Sequence, residues 1–135
     1  MEPIDIRIRL SALWLFVLLN IVFRDLHQFA MKPFLEMLLT GTYNGLEITE
    51  ELMLSGGVLA EVPIAMMLFS VLLGRGWTRP LTFVAALITG ATLVSSPPLD
   101  LDDTFHLVIE VAALLAIMWT AARWPREGAP KRTFY

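Results

Sequence analysis

The chain has 135 residues, 56% of them hydrophobic and 17% charged, with a formal net charge of −3. The apolar share exceeds the roughly 45–50% of soluble chains and is gathered into long blocks, which points to a single integral membrane domain over residues 1–135. An acidic balance without a clustered basic face gives no electrostatic reason to expect nucleic acid, and the absence of cysteine excludes disulfides, thiolate catalysis and cysteine metal sites.

The N-terminus, MEPIDIRIRL, runs into an apolar block with no small-residue cleavage site behind it. That block, residues 10–29, is therefore expected to be a retained span rather than a signal peptide. Residues 51–73, 77–96 and 103–124 form three more blocks that reach the roughly 20 residues a helical span needs. Helices are the physical choice because they satisfy their own backbone hydrogen bonds in lipid. Pro80 suits an early helical position, and SSPP at 95–98 makes a stop. Residues 30–50 form an outer loop in which PFLEMLLTG (33–41) is either a short amphipathic helix at the interface or a plain ordered loop. GRG at 74–76 and PPLDLD at 97–102 are short, so their flanking spans should be antiparallel neighbours. The expected fold is all-α, an antiparallel four-helix bundle, with residues 125–135 as a flexible tail.

Arginine and lysine set the expected orientation. Arg7, Arg9, Arg75, Arg79, Arg123, Arg126, Lys131 and Arg132 gather at the termini and the middle connection, whereas the first connection holds Lys32 and the third has no base. Both termini are thus expected on the cytoplasmic side. Trp14, Trp77, Trp119 and Trp124 fall towards that side, as interfacial anchors often do.

Ionisable side chains inside spans are costly, so each needs a partner or a purpose. At about 1.5 Å per residue, Asn20 falls mid-span and Arg24, Asp25 and His27 in the outer third of span one. Glu61 lies roughly 15 Å and Glu110 roughly 10 Å below the outer surface, with His106 at the rim. Asp103, His106 and Glu110 share a stripe on span four, and Asn20, Arg24 and His27 share a face of span one. Asp25 is rotated off that face towards another neighbour. On span two, Leu54, Val58, Glu61, Ala65 and Leu68 share a face beside Gly57, where small residues would admit another helix. Pro63 leaves the Leu59 carbonyl without its donor, which suits a cavity wall, although prolines are also ordinary in membrane helices. Arg24 and Asp25 are expected as an interfacial pair with snorkelling heads. Glu61 and Glu110 are either hydrogen-bonding glue or functional acids. The convergence of acids and histidines at one level favours function. His106 and Glu110 share one helical turn, yet HExxH-type signatures are missing, so no metal is expected. No serine lies beside a histidine at a depth suited to nucleophilic catalysis, and no phosphate-binding glycine loop is present.

The segments LSALWLFVLLNIVFRDL, EVPIAMMLFSVLL and HLVIEVAALLAIMWTAARW resemble a family of small bacterial four-span membrane proteins of unknown function, DoxX-like in layout, over about residues 10–124. The resemblance implies that Asn20, Asp25, Glu61 and Glu110 are the characteristic polar positions, and that the protein resides in the bacterial inner membrane. The greasy helical setting is also similar to that of membrane-embedded isomerases and terpenoid cyclases, though without a shared motif. The leading expectation is an enzyme acting on a lipophilic small molecule by general acid–base chemistry, without a cofactor: isomerisation, epoxide opening or cyclisation. Glu61 would be the protonated acid and Asp25 or Glu110 the base or cation stabiliser. Asn20, His106, His27 and Trp14 would form the substrate-binding set. The rival is a proton- or cation-coupled transporter or accessory subunit, which four spans would reach only as a homo-oligomer or with a partner. A purely structural scaffold is the third reading.

Overall fold

The computed structural model describes residues 4–96, 98 and 100–125. Residues 126–135 of the expected tail lie outside these, and with them Arg126, Lys131 and Arg132 of the charge bias. The order is α1 (Ile6–Gln28), α2 (Lys32–Leu39), β1 (Thr42–Tyr43), β2 (Leu46–Glu47), α3 (Glu50–Leu72), α4 (Arg75–Ser95) and α5 (Leu101–Ala122). The four long helices, α1, α3, α4 and α5, are each long and apolar enough to cross a membrane.

Local chemistry sets where they begin. Asp5 accepts from the Arg7 amide at 2.9 Å, Thr49 from Leu52 at 3.2 Å and Asp100 from Asp103 at 2.8 Å, each satisfying an orphan N–H of a first turn. Asp102 and Asp103 in the first turn of α5 also suit the positive end of its dipole.

The long helices form a ring in which α1 packs on α3 and α5, and α4 completes the circle between those two. Leu10, Trp14 and Val17 make the inward stripe of α1, meeting Met66 of α3, Ala85, Ala86 and Leu93 of α4, and Ala113, Leu114, Ile117 and Ala121 of α5. The buried alanines allow close approach, and Gly90 of α4 is where a Cβ would come within 3.6 Å of Leu114. Outside, Phe16, Leu19, Phe23, Leu68, Leu87, Val94, Val108 and Leu115 are exposed, so the surface is as apolar as the core. Such a surface suits lipid rather than water.

Of the four tryptophans expected as anchors, only Trp77 and Trp119 are exposed; Trp14 and Trp124 are core residues. The outer connection contains the short helix α2, with Phe34 buried and stacked edge-on against Phe29 and Tyr43. It also contains a hairpin that the expectations above do not include. Asn44 and Gly45 adopt φ of 48° and 80°, the positive values a tight two-residue hairpin requires, and Asn-Gly is its direct sequence signal.

The core is tight around the fully buried Ile117. Ile117→Ala is expected to destabilise the bundle by about 2 kcal/mol or more through the packing lost around the void, and Ile117→Val by about 1 kcal/mol. Thermal unfolding in one detergent checks the order.

Candidate functional site

The last two turns of α1 face the first three turns of α5, and the two polar stripes meet there. Arg24 is buried, with Nε 3.4 Å from Asp103 Oδ1 and Nη1 3.3 Å from Glu110 Oε2. Gln28, one turn on from Arg24, donates its amide Nε2 to both oxygens of Asp103 at 3.1 Å. Glu110 is fully buried, and its second oxygen, Oε1, is sealed from solvent with no hydrogen-bond partner. One guanidinium therefore stands between two carboxylates where a lone charge would be expensive. The arrangement replaces the expected Arg24–Asp25 surface pair. Arg24 sits on the inward stripe, so its head turns to α5 instead of snorkelling.

Towards the end of the bundle, Asn20, His27, Asp102 and His106 form a second group. His27 Nδ1 lies 2.7 Å from Asp102 Oδ2, and His106 Nε2 lies 3.8 Å from Asp102 Oδ1. Asn20 donates Nδ2 to the Phe16 carbonyl at 2.8 Å, which leaves its Oδ1 facing His106 Nδ1 at 3.2 Å.

A cavity of about 410 Å³ opens on the opposite side of α1, between α1, α3 and α4. Leu18, Ile21, Leu59, Pro63, Ile64 and Leu93 supply its apolar wall, and Arg24, Asp25, Gln28, Tyr43, Thr89 and Thr92 its polar groups. The volume falls within the range of small-molecule sites, roughly 300–1,000 Å³. Asp25 has no ion-pair partner among the described residues. Thr89 is 4% exposed, and its hydroxyl has no hydrogen-bond partner.

A sequence profile described as a family of unknown function, DUF6326, matches residues 5–130. The chain belongs to this family. No curated protein and no solved structure matches it. Membership in a family of unknown function, with four helices long and apolar enough to cross a membrane, is thus as expected, and because DUF6326 names no activity, the functional reading rests on the geometry.

That geometry divides the expected site. Asn20, His27, His106 and Glu110 belong to the α1–α5 seam, and only Asp25 faces the larger cavity. Glu61 joins neither group: it is exposed, and among the described residues its side chain makes no hydrogen bond or ion pair. The inward residues of α3 are Pro63, Met66 and Ser70. Glu61 precedes Pro63 by two positions, about 200° around the helix, and so points out. Its expected face turns out with it, since Leu54, Val58 and Leu68 are exposed and nothing lies within 4 Å of a Cβ at Gly56 or Gly57. Pro63 does line the cavity, as a cavity-wall proline should. Trp14 lines neither cavity and is sealed in the core. Gln28, Asp102 and Tyr43 are further polar groups here and were not expected as site residues. Gln28 carried a signal, lying four residues beyond Arg24 on the same face, and Asp102 lies four before His106.

Removing one partner of a buried ion network strands the others, at about 3–5 kcal/mol where contacts are ideal. The Arg24 contacts are longer than the roughly 2.7–2.9 Å of strong charge-assisted bonds, so the lower end applies. Arg24→Leu is expected to lower the unfolding temperature sharply and the double variant with Glu110→Leu to recover part of the loss, while Glu61→Gln leaves it unchanged. A double-mutant cycle by thermal unfolding in detergent measures all three.

Proposed function

We propose that the protein is a membrane enzyme that binds a lipophilic small molecule in the cavity between α1, α3 and α4 and moves a proton on it through Asp25. The observation that carries the reading is a carboxylate that makes no ion pair among the described residues, set in the wall of a mostly apolar cavity of ligand size. The substrate class is an amphiphile. Its apolar body would lie along Leu18, Ile21, Leu59 and Ile64, and its polar head would reach Asp25, Tyr43 and the unpartnered Thr89 hydroxyl. Asp25 takes a proton from one substrate atom and returns it to another, so an isomerisation closes without a redox partner or cofactor.

Glu110 has a different role in this reading from the one expected of it. Locked to Arg24, it positions the guanidinium that forms part of the cavity wall, and it does not touch the ligand. Glu61 has no role in the chemistry. A proton or cation path through the bundle is the weaker reading. The buried hydroxyls of Thr78 and Thr82 donate to carbonyls of the chain around them, and the core around Leu10, Trp14 and Ile117 is apolar.

Protein purified from its native membrane should carry a small lipophile that mass spectrometry of organic extracts detects, and Ala60→Trp, which fills the cavity, should lose it. In D2O the wild type should exchange deuterium into that lipophile. Asp25→Asn should retain the lipophile but exchange roughly 10²–10⁴-fold more slowly, the usual worth of a general base. An unchanged lipid profile in Ala60→Trp would remove the binding site, and undiminished exchange in Asp25→Asn would remove the chemistry.

A further inference from the structure

The chain contains two histidines, at positions 27 and 106, and the fold brings both to a single carboxylate. We propose that His27, Asp102 and His106 form a binding site for a borderline divalent cation of the zinc class, at the seam between the end of α1 and the start of α5. This site lies outside the cavity assigned to the lipophilic ligand and does not depend on that assignment.

The geometry is that of a three-ligand site. One ligand atom from each of the three residues lies within 4.8 Å of the other two. Around a tetrahedral ion with bonds of about 2.0–2.1 Å, ligand atoms stand about 3.3 Å apart, so closure needs only side-chain rotation. Two imidazoles and a carboxylate match zinc-like ions better than magnesium or calcium, which favour all-oxygen shells.

The tautomer of His106 is set in advance. The Phe16 carbonyl can only accept, so it takes the Asn20 amide nitrogen, and Asn20 Oδ1 is left facing His106 Nδ1. An oxygen there requires Nδ1 to carry the proton. In the neutral ring Nε2 is then the bare nitrogen, and it is the atom directed at Asp102. A carbonyl that fixes a histidine through its outer nitrogen is the usual support of a metal ligand. His27 Nδ1 lies 2.7 Å from Asp102 Oδ2, in hydrogen-bond contact. On binding, that hydrogen bond is replaced by two metal bonds and the imidazole proton moves to Nε2, so the ring stays neutral.

Charge and access both favour a cation. Asp100 and Asp102 line a cavity of about 230 Å³ with His27, Gln28 and Met31, which sets negative charge beside the two histidines. The cavity gives the ion a route and leaves room for a water as fourth ligand, the arrangement of an open site. The sequence expectation of no metal site rested on the absence of a motif within one helix. Here the ligands come from two helices, 75 and 79 positions apart.

The test uses the untagged full chain in detergent, stripped with chelator and titrated with Zn2+, with Mg2+ as control. One Zn2+ per chain should bind with low-micromolar affinity or better, raise the unfolding temperature, and leave Mg2+ without effect. His27→Ala, His106→Ala and Asp102→Asn should each weaken Zn2+ binding at least tenfold. Asn20→Ala, which removes only the support of His106, should weaken it about tenfold. Glu61→Gln should bind as the wild type does. Co2+ should give the visible absorption of a low-symmetry site in the wild type and lose it in Asp102→Asn, the variant that best preserves shape. Failure of the wild type to bind Zn2+ at about 100 µM, or binding as tight as the wild type's in either histidine variant, overturns the proposal.

Discussion

The buried guanidinium of Arg24 is the contact on which the polar half of the molecule depends. Packing of apolar helices in lipid lacks the hydrophobic drive it has in water, and dispersion between Leu, Val and Ala is weakly directional. A charge that must be matched is directional. Once Arg24 is placed between Asp103 and Glu110, α1 and α5 have one antiparallel register, and Asn20 meets His106 while His27 meets Asp102. The neighbouring Asp25 then follows without further choice. It lies about 100° around α1 from Arg24, away from α5 and into the space beside α3 and α4.

Gln28 links the two cavities. It lines both, and its amide is held by Asp103 between them. The smaller cavity, beside His27, is bordered by Asp100, Asp102 and Asp103. The larger cavity, beside Asp25, is mostly apolar, and Tyr43 of the hairpin is among its lining residues. A single helical turn, Arg24 to Gln28, thus separates two environments of different chemistry. Burial of its charge by α5 lets Arg24 serve as wall for one and counter-charge for the other.

The parts of this arrangement that sequence revealed are those carried by period and length. Four blocks near 20 residues gave four helices, and the i, i+3, i+7 spacing of Asp103, His106 and Glu110 gave a stripe that does face Asn20, Arg24 and His27. Asp25 was separable from that stripe by phase alone. Glu61 was not legible because α3 is apolar on every side, so no amphipathic pattern says which face turns in. Depth suggested the midplane, and depth is no substitute for phase. Trp14 misled for a related reason: a large amphipathic ring near a helix end reads as an anchor, yet Leu10, Trp14 and Val17 are one inward stripe. The Asn44–Gly45 hairpin was legible from its dipeptide and lay within a stretch expected only as loop or short helix.

The cavity itself is an absence of side chains. Half of the bundle is closed by alanines at the contacts, with Ala85, Ala86, Ala113 and Ala121 buried and Leu114 close upon Gly90. In the other half α3 presents Gly56 and Ala60 to the same space, and there they meet no partner helix, so small residues leave volume instead of removing it. Small residues thus have opposite effects at the two ends, depending on whether the neighbouring helix can follow.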